Sequence, residues 1–239
     1  MRISRSLAPV LLIAFATTGL VACSSGAAPE PTKSAVSEVP AETTDAATAE
    51  PEATEAAAAP SGDYVTPAWA LPTTSPGELL TSVDGPNFTV DIYQAGTAPA
   101  TSTGSFVDPE TNTPLIEVGD EVVYVNYVVT NSSTEPIQLT ALLVDVTPTY
   151  ADWPYMQGMD AIVDRALNEQ FQVNSMAIGT TGAEAPYAWA PGESFSYGDN
   201  FEYQAGSPIT FVASLTPSDD AGDLLHDERA EVEVSTTIK

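Results

Sequence analysis

Residues 121–148, "EVVYVNYVVTNSSTEPIQLTALLVDVTP", set two β-branched and aromatic runs on either side of a short polar loop. Val, Ile, Tyr and Thr suit a pleated, part-buried surface, and two such runs joined by Asn, Ser, Thr and Pro predict a hairpin of 121–130 with 136–148. The same punctuated pattern recurs on both sides. "NFTVDIY" (87–93) follows the turn signal "DGP", and "PITFVASLTP" (208–217) and "AEVEVSTTIK" (230–239) complete a set of short strands. In "ESFSYGDNFEYQAG" (193–206) Phe195, Tyr197, Phe201 and Tyr203 share one face, with Ser194, Ser196, Asn200 and Glu202 on the other, the signature of a half-buried antiparallel strand. Short strands at this spacing predict a β-sandwich.

One segment departs from period two. In "MDAIVDRALNEQFQ" (159–172) Met159, Ile162, Val163, Ala166 and Leu167 recur at helical spacing, with Asp160, Asp164, Arg165 and Glu169 opposite. This predicts an inserted amphipathic helix of about three turns lying on the sandwich.

The sandwich is assigned to 63–239, 177 residues and enough for one sizeable core. What precedes it has another character. Met1 to Arg5 is basic, "LAPVLLIAFATTGLVA" (7–22) is apolar, and small polar residues follow, which is the layout of an export signal in residues 1–22. Sixteen residues broken by Pro9 and Gly19 fall short of the roughly 20 that cross a bilayer. From Ser24 to Gly62 the chain lacks aromatics and is dominated by Ala, Pro, Thr and Glu. Such a stretch buries too little apolar area to offset its ordering entropy, so 23–62 reads as a disordered tether whose typical reach is about 35 Å.

Cys23 is the only cysteine. A solitary Cys in an exported chain has no internal disulfide partner and is either free or modified. Leu20-Val21-Ala22-Cys23 resembles the lipobox of bacterial lipoproteins. The resemblance implies cleavage between Ala22 and Cys23, a diacylglyceryl thioether on the Cys23 sulfur, and anchoring by covalent lipid on the extracytoplasmic face of the cell membrane. Two or three acyl chains make such an anchor stable where one alone is marginal.

A second resemblance concerns the fold. "PLIEVGDEVVYVNYVVTNSSTEPIQL", followed some fifty residues later by "APGESFSYGDNFEY", resembles the immunoglobulin-like β-sandwich domains of actinobacterial secreted and lipid-anchored proteins, many of unknown function. The motifs matched are Val129-Thr130-Asn131-Ser132-Ser133 and the turn Pro191-Gly192-Glu193. They imply fold rather than function, since one fold hosts many functions. The expected class is therefore an immunoglobulin-like antiparallel β-sandwich with one short inserted helix, preceded by a disordered tether.

Charge narrows the partners. The chain carries 33 acidic and six basic residues, and 26 of the acids fall in the sandwich against Arg165, Arg229 and Lys239. Such a surface repels nucleic acid and attracts cations or basic peptides. For catalysis the inventory is thin. His226 is the only histidine, Cys23 is committed to lipid, and neither a Gly-x-Ser-x-Gly elbow nor an HExxH helix occurs. A non-enzymatic binding or scaffolding module without cofactor is expected, against the alternatives of a carboxylate-dependent hydrolase and a Ca²⁺-binding module. Asp219, Asp220, Asp223, Asp227 and Glu228 crowd one loop without the spacing of an EF-hand, and Met156, Met159 and His226 offer only soft ligands of a kind for Cu(I). The best binding candidates are aromatics beside Pro in predicted loops: Trp69, Trp153, Tyr155, Tyr187 and Trp189. Exposed together they would suit an envelope protein, a peptide or a glycan.

Since acyl transfer needs the Cys23 sulfur, Cys23→Ala should abolish incorporation of a labelled fatty acid and shift the chain out of the membrane fraction. Unchanged labelling would overturn the lipoprotein reading.

Overall fold

The computed structural model describes residues 62–179 and 184–239. The expected signal peptide, Cys23 and all of the tether but Gly62 lie outside them. Within them the elements run β1 (Glu78–Asp84), β2 (Phe88–Pro99), β3 (Glu121–Asn131), β4 (Ile137–Leu139), β5 (Val144–Tyr150), α1 (Arg165–Phe171), β6 (Tyr187–Trp189), β7 (Ser194–Glu202), β8 (Pro208–Leu215) and β9 (Ala230–Thr237). A four-stranded sheet has the order β1-β2-β3-β7, a three-stranded sheet the order β5-β8-β9, and β4 pairs with β6; the pairings are antiparallel. This is the expected antiparallel β-sandwich with one short helix. Its main core lies between the sheets, where Val90, Ile92, Val125, Tyr127, Phe195 and Phe201 meet Val146, Ile209 and Phe211.

The expected hairpin is not formed. β3 pairs with β2 and β7, and the run 136–148 divides into β4, which joins β6, and β5, which joins β8 in the other sheet. Asn131 causes the departure. Its Oδ1 accepts from the Ser133 N–H (2.9 Å) and hydroxyl (2.6 Å), and its Nδ2 donates to the Trp189 carbonyl (2.7 Å). Its backbone N–H and C=O exchange bonds with Glu193 O (3.0 Å) and Gly192 N (2.8 Å). An Asx turn of this kind offers the backbone an alternative to continuing the ladder. Val129–Ser133 and Pro191–Glu193, 58 positions apart at their nearest along the chain, thus meet in space.

The expected helix is cut to half. Only Arg165–Phe171 is helical, capped by Asp164, whose Oδ1 accepts from the Leu167 N–H at 3.0 Å. Before it, side chains take up the backbone groups that a helix would have used. Asp160 Oδ1 accepts from the N–H groups of Ser105, Phe106 and Ala161, and Asn200 clamps Ile162 by accepting from its N–H (2.9 Å) and donating to its carbonyl (3.0 Å). Ile162 is buried, whereas Val163, placed by periodicity on the apolar stripe, is 92 % exposed.

Asn200 also shows that β7 is not half-buried. Its alternation is as expected, but its polar face is covered too: Ser194, Ser196 and Asn200 are all buried. A second core of Ala98, Ala100, Ile116, Val122, Tyr124, Ile162, Phe171 and Val173 lies on this outer face of the four-stranded sheet. β3, between the two cores, is buried on both sides.

Phe201 is 1 % exposed and packs edge-to-face with Tyr150 (5.6 Å), so Phe201→Ala should cost about 3–5 kcal/mol in urea denaturation. Val163→Ala should stay within about 0.5 kcal/mol. A comparable loss for both would restore the longer helix.

Candidate functional site

The five aromatics do not form one surface, which corrects the expectation of a joint patch. Trp69, Tyr187 and Trp189 are core residues at 8 %, 8 % and 0 % exposure. Trp69 lies 5.3 Å from Tyr187 and 5.4 Å from Phe195, and Trp189 lies 5.3 Å from the same Phe195. The indole N–H groups donate to the Ala188 and Glu193 carbonyls, as buried Trp requires. Trp153 and Tyr155 are separate from these, half-buried and edge-to-face at 5.2 Å. The Tyr155 hydroxyl donates to Asp108 at 2.7 Å, and that bond, with the Thr111 and Glu110 N–H groups, holds the Asp108 carboxyl down at about 2.

Of the acids of 219–228, Asp219 is spent on its own loop. Asp219 Oδ1 accepts from the Ala221 and Asp223 N–H groups at 2.9 Å, closing a turn. Among the described residues no group of three or more His, Cys, Asp or Glu gathers to hold a metal ion. The soft ligands are dispersed in role as well: Met159 Sδ accepts from the Tyr150 N–H, and Met156 is fully exposed.

Open space lies instead along the seam between β5 and β7, edge strands of the two sheets. Two tyrosines pin it. The Tyr197 hydroxyl of β7 donates to the Val144 carbonyl of β5, and the Tyr150 hydroxyl of β5 donates to the Glu202 carbonyl of β7, both at 2.8 Å. Beside the first pin, Ala141–Asp145, Met176–Ile178 and Tyr197 line an open cleft of about 280 Å³. It is apolar, and its rim residues Leu142 and Met176 are 67 % and 55 % exposed. Nearer the second pin, Val146–Pro148, Gly158, Met159, Ala161 and Asp199–Phe201 line a cleft of about 200 Å³.

Asp199 belongs to this second cleft. It stands in register with Phe195, Tyr197 and Phe201 on the inward face of β7, so a carboxyl occupies a core-facing position. Burial pushes it up to about 6; the nearby Tyr127 hydroxyl pulls the other way, and the Asp145 charge adds to the rise. Tyr127 and Tyr197 are themselves held well above the usual phenol range, first by burial and then by Asp199. The described cations are engaged elsewhere: Arg165 with Glu169 (2.9 Å), Arg229 with Glu231 (2.8 Å) and Lys239 with Glu78 (2.5 Å). Sequence reading passed over Asp199, although an acid on the apolar face of an alternating strand was the available signal.

Solved structures similar to this chain include two bacterial proteins. One is a candidate lipoprotein from Bacillus subtilis subsp. subtilis str. 168, 12 % identical over 67 % of this chain and 39 % of its own, with a TM-score of 0.32. The other is a protein of unknown function from Listeria monocytogenes EGD-e, 14 % identical over 68 % of this chain and 83 % of its own, with a TM-score of 0.36. The chain thus spans about two fifths of the Bacillus protein. No family model and no curated protein matches it.

Asp199 sets a pH dependence whose sign is opposite to that of a salt-bridged acid. Its carboxyl binds a proton more tightly folded than unfolded, so between about pH 4 and 6 the native state holds more protons and stability falls as pH rises. A rise of about two units corresponds to roughly 3 kcal/mol at most. Asp199→Asn should therefore be more stable than the wild type at pH 7.5, by up to that amount, with the difference closing toward pH 4 in urea denaturation. A pH-independent difference would show that burial does not raise the carboxyl.

Proposed function

We propose that this chain is a lipid-anchored extracytoplasmic envelope protein whose sandwich serves as a binding or scaffolding module, with the β5–β7 seam as its contact surface. The observation that carries the reading is the apolar cleft at one end of the seam, with Leu142 and Met176 standing exposed on its rim. Exposed apolar groups around a concavity are characteristic of ligand and partner sites. The half-exposed Trp153 and Tyr155 remain candidate contacts, whereas Trp69, Tyr187 and Trp189 serve the core. Anchoring rests on the lipobox at Leu20–Cys23, and no helix among the described residues is long and apolar enough to cross a membrane. Binding is favoured over catalysis because neither cleft is lined by Ser, Cys or His to act as nucleophile or base.

The test combines fractionation with a cleft variant. The full chain should partition with membranes and bind an environment-sensitive apolar dye, whereas Leu142→Asp/Met176→Asp should lose most of the dye signal while keeping its melting midpoint within a few degrees. Equal dye binding by both would remove the cleft from the proposal.

A further inference from the structure

The second cleft carries a more specific ligand chemistry than the first. Its floor is a carboxyl group, and its strand wall supplies further acceptors. In the antiparallel ladder between β5 and β8, alternate residues point their backbone groups toward the partner and away from it. Val144 points away, since its carbonyl accepts from Tyr197, and Tyr150 does too, since its N–H reaches Met159 Sδ. Val146 and Pro148 share that direction, which turns their carbonyls toward the seam, where the Pro148 carbonyl already accepts from the Thr149 hydroxyl at 2.8 Å and keeps one lone pair for a further donor. Pro148 brings no N–H to compete. Around these acceptors stand the side chains of Val146, Pro148, Met159 and Phe201, an apolar sleeve.

We propose that this cleft receives a primary ammonium group on an alkyl stem, the side chain of a lysine in a partner peptide, with Asp199 and the edge carbonyls of Val146 and Pro148 taking its donors. An ammonium has three donors and no acceptor, matching a lining that offers acceptors at its base. A guanidinium would want one planar, bidentate partner, and here the acceptors are spread over two strands. About 200 Å³ suits one side chain rather than a drug-sized molecule. The formal charge of −27 steers cations toward the domain and anions away. The titratable groups facing Asp199 are Tyr127 from β3, Tyr197 from β7 and Asp145 from β5, so none supplies an internal cation. Asp160 from the neighbouring loop turns its Oδ1 to the 105–106 backbone instead. A peptide is favoured over a free amine because the carbonyls stand on an unpaired strand edge, where they can also meet main-chain N–H groups.

This inference deepens the binding reading of the seam, yet its test reads Asp199 directly, so loss of anchoring or of dye binding would leave it standing. The full chain in non-ionic detergent, labelled at its aspartate carboxyl carbons, is titrated by NMR, with the Asp199 resonance identified by its absence in Asp199→Asn. Its midpoint, about 6 without ligand, should fall by about one unit at tenfold excess of Nα-acetyl-lysine methylamide over its dissociation constant for the ionised carboxyl. The Nε-acetylated derivative, with the same stem and no charge, should leave it in place. Butylamine forms the arm for a free amine: a smaller shift than the lysine derivative at equal concentration supports the peptide source, and an equal one overturns that source while keeping the ammonium site. No shift with either amine, or an equal shift with sodium chloride at matched ionic strength, would overturn the site itself.

Discussion

The architecture depends on what happens at Asn131. A buried amide is costly unless its donors and acceptor are met, and here they are met by groups from separate parts of the chain: Ser133 just beyond it and Trp189 on β6, with Gly192 and Glu193 bonded to its backbone. These bonds end β3, turn the chain out of the four-stranded sheet, and fix the Pro191–Glu193 turn that launches β7 beside β3. Gly192 stands at φ 77° in that turn, a left-handed conformation that glycine, lacking a Cβ, adopts at little cost. Glu193 O also accepts from the Trp189 indole, so one small polar junction positions β3, β6 and β7 together.

Once β7 is set beside β3, the rest of the molecule follows from the two faces of that sheet. Its inner face meets β5, β8 and β9. Its outer face carries Ser194, Ser196 and Asn200, which would be solvated in a simple sandwich but here hold a second layer in place. Ser196 Oγ accepts from the Thr74 N–H at 2.8 Å, and Asn200 fixes the backbone of Ile162. Each bond stitches irregular chain to a regular strand, satisfying backbone groups that have no ladder of their own. The outer apolar cluster, with Tyr124 stacked on Phe171 at 4.9 Å, fills the space beneath.

The seam between β5 and β7 is the place where this packing stops short. Strands at the edges of two sheets face each other without pairing, and two tyrosine hydroxyls span the gap in place of a ladder. Pro148 blunts the β5 edge by removing a donor, which discourages indiscriminate strand pairing. Between the tyrosines sits a carboxyl whose ionisation opposes folding at neutral pH. A protein that retains such a group forgoes stability that Asn, Thr or Val would supply, and this kind of cost is common at binding and catalytic sites.

The reading of an export signal and of a lipobox-like stretch at Cys23, like the acidic balance, rests on linear sequence alone, because signal recognition, acylation and net charge depend on local order and composition. Strand existence was legible for most of the sheets: Phe195, Tyr197 and Phe201 alternate as buried residues must, and β2, β3, β8 and β9 lie where β-branched runs placed them, whereas β1 was not anticipated and Tyr187 and Trp189, expected in a loop, form the short strand β6. Pairing was not. A run such as 121–130 specifies a strand but carries no record of its neighbours, and only the bonds of Asn131 to groups sixty residues away determine that β3 meets β7 rather than the run after it. The truncated helix has the same origin, since periodicity in 159–172 was real but Asp160 and Asn200 claimed the backbone first. So has the seam. Asp199 is an ordinary acid in the sequence, and it becomes a partly desolvated carboxyl in a cleft only because two sheet edges, distant along the chain, come together around it.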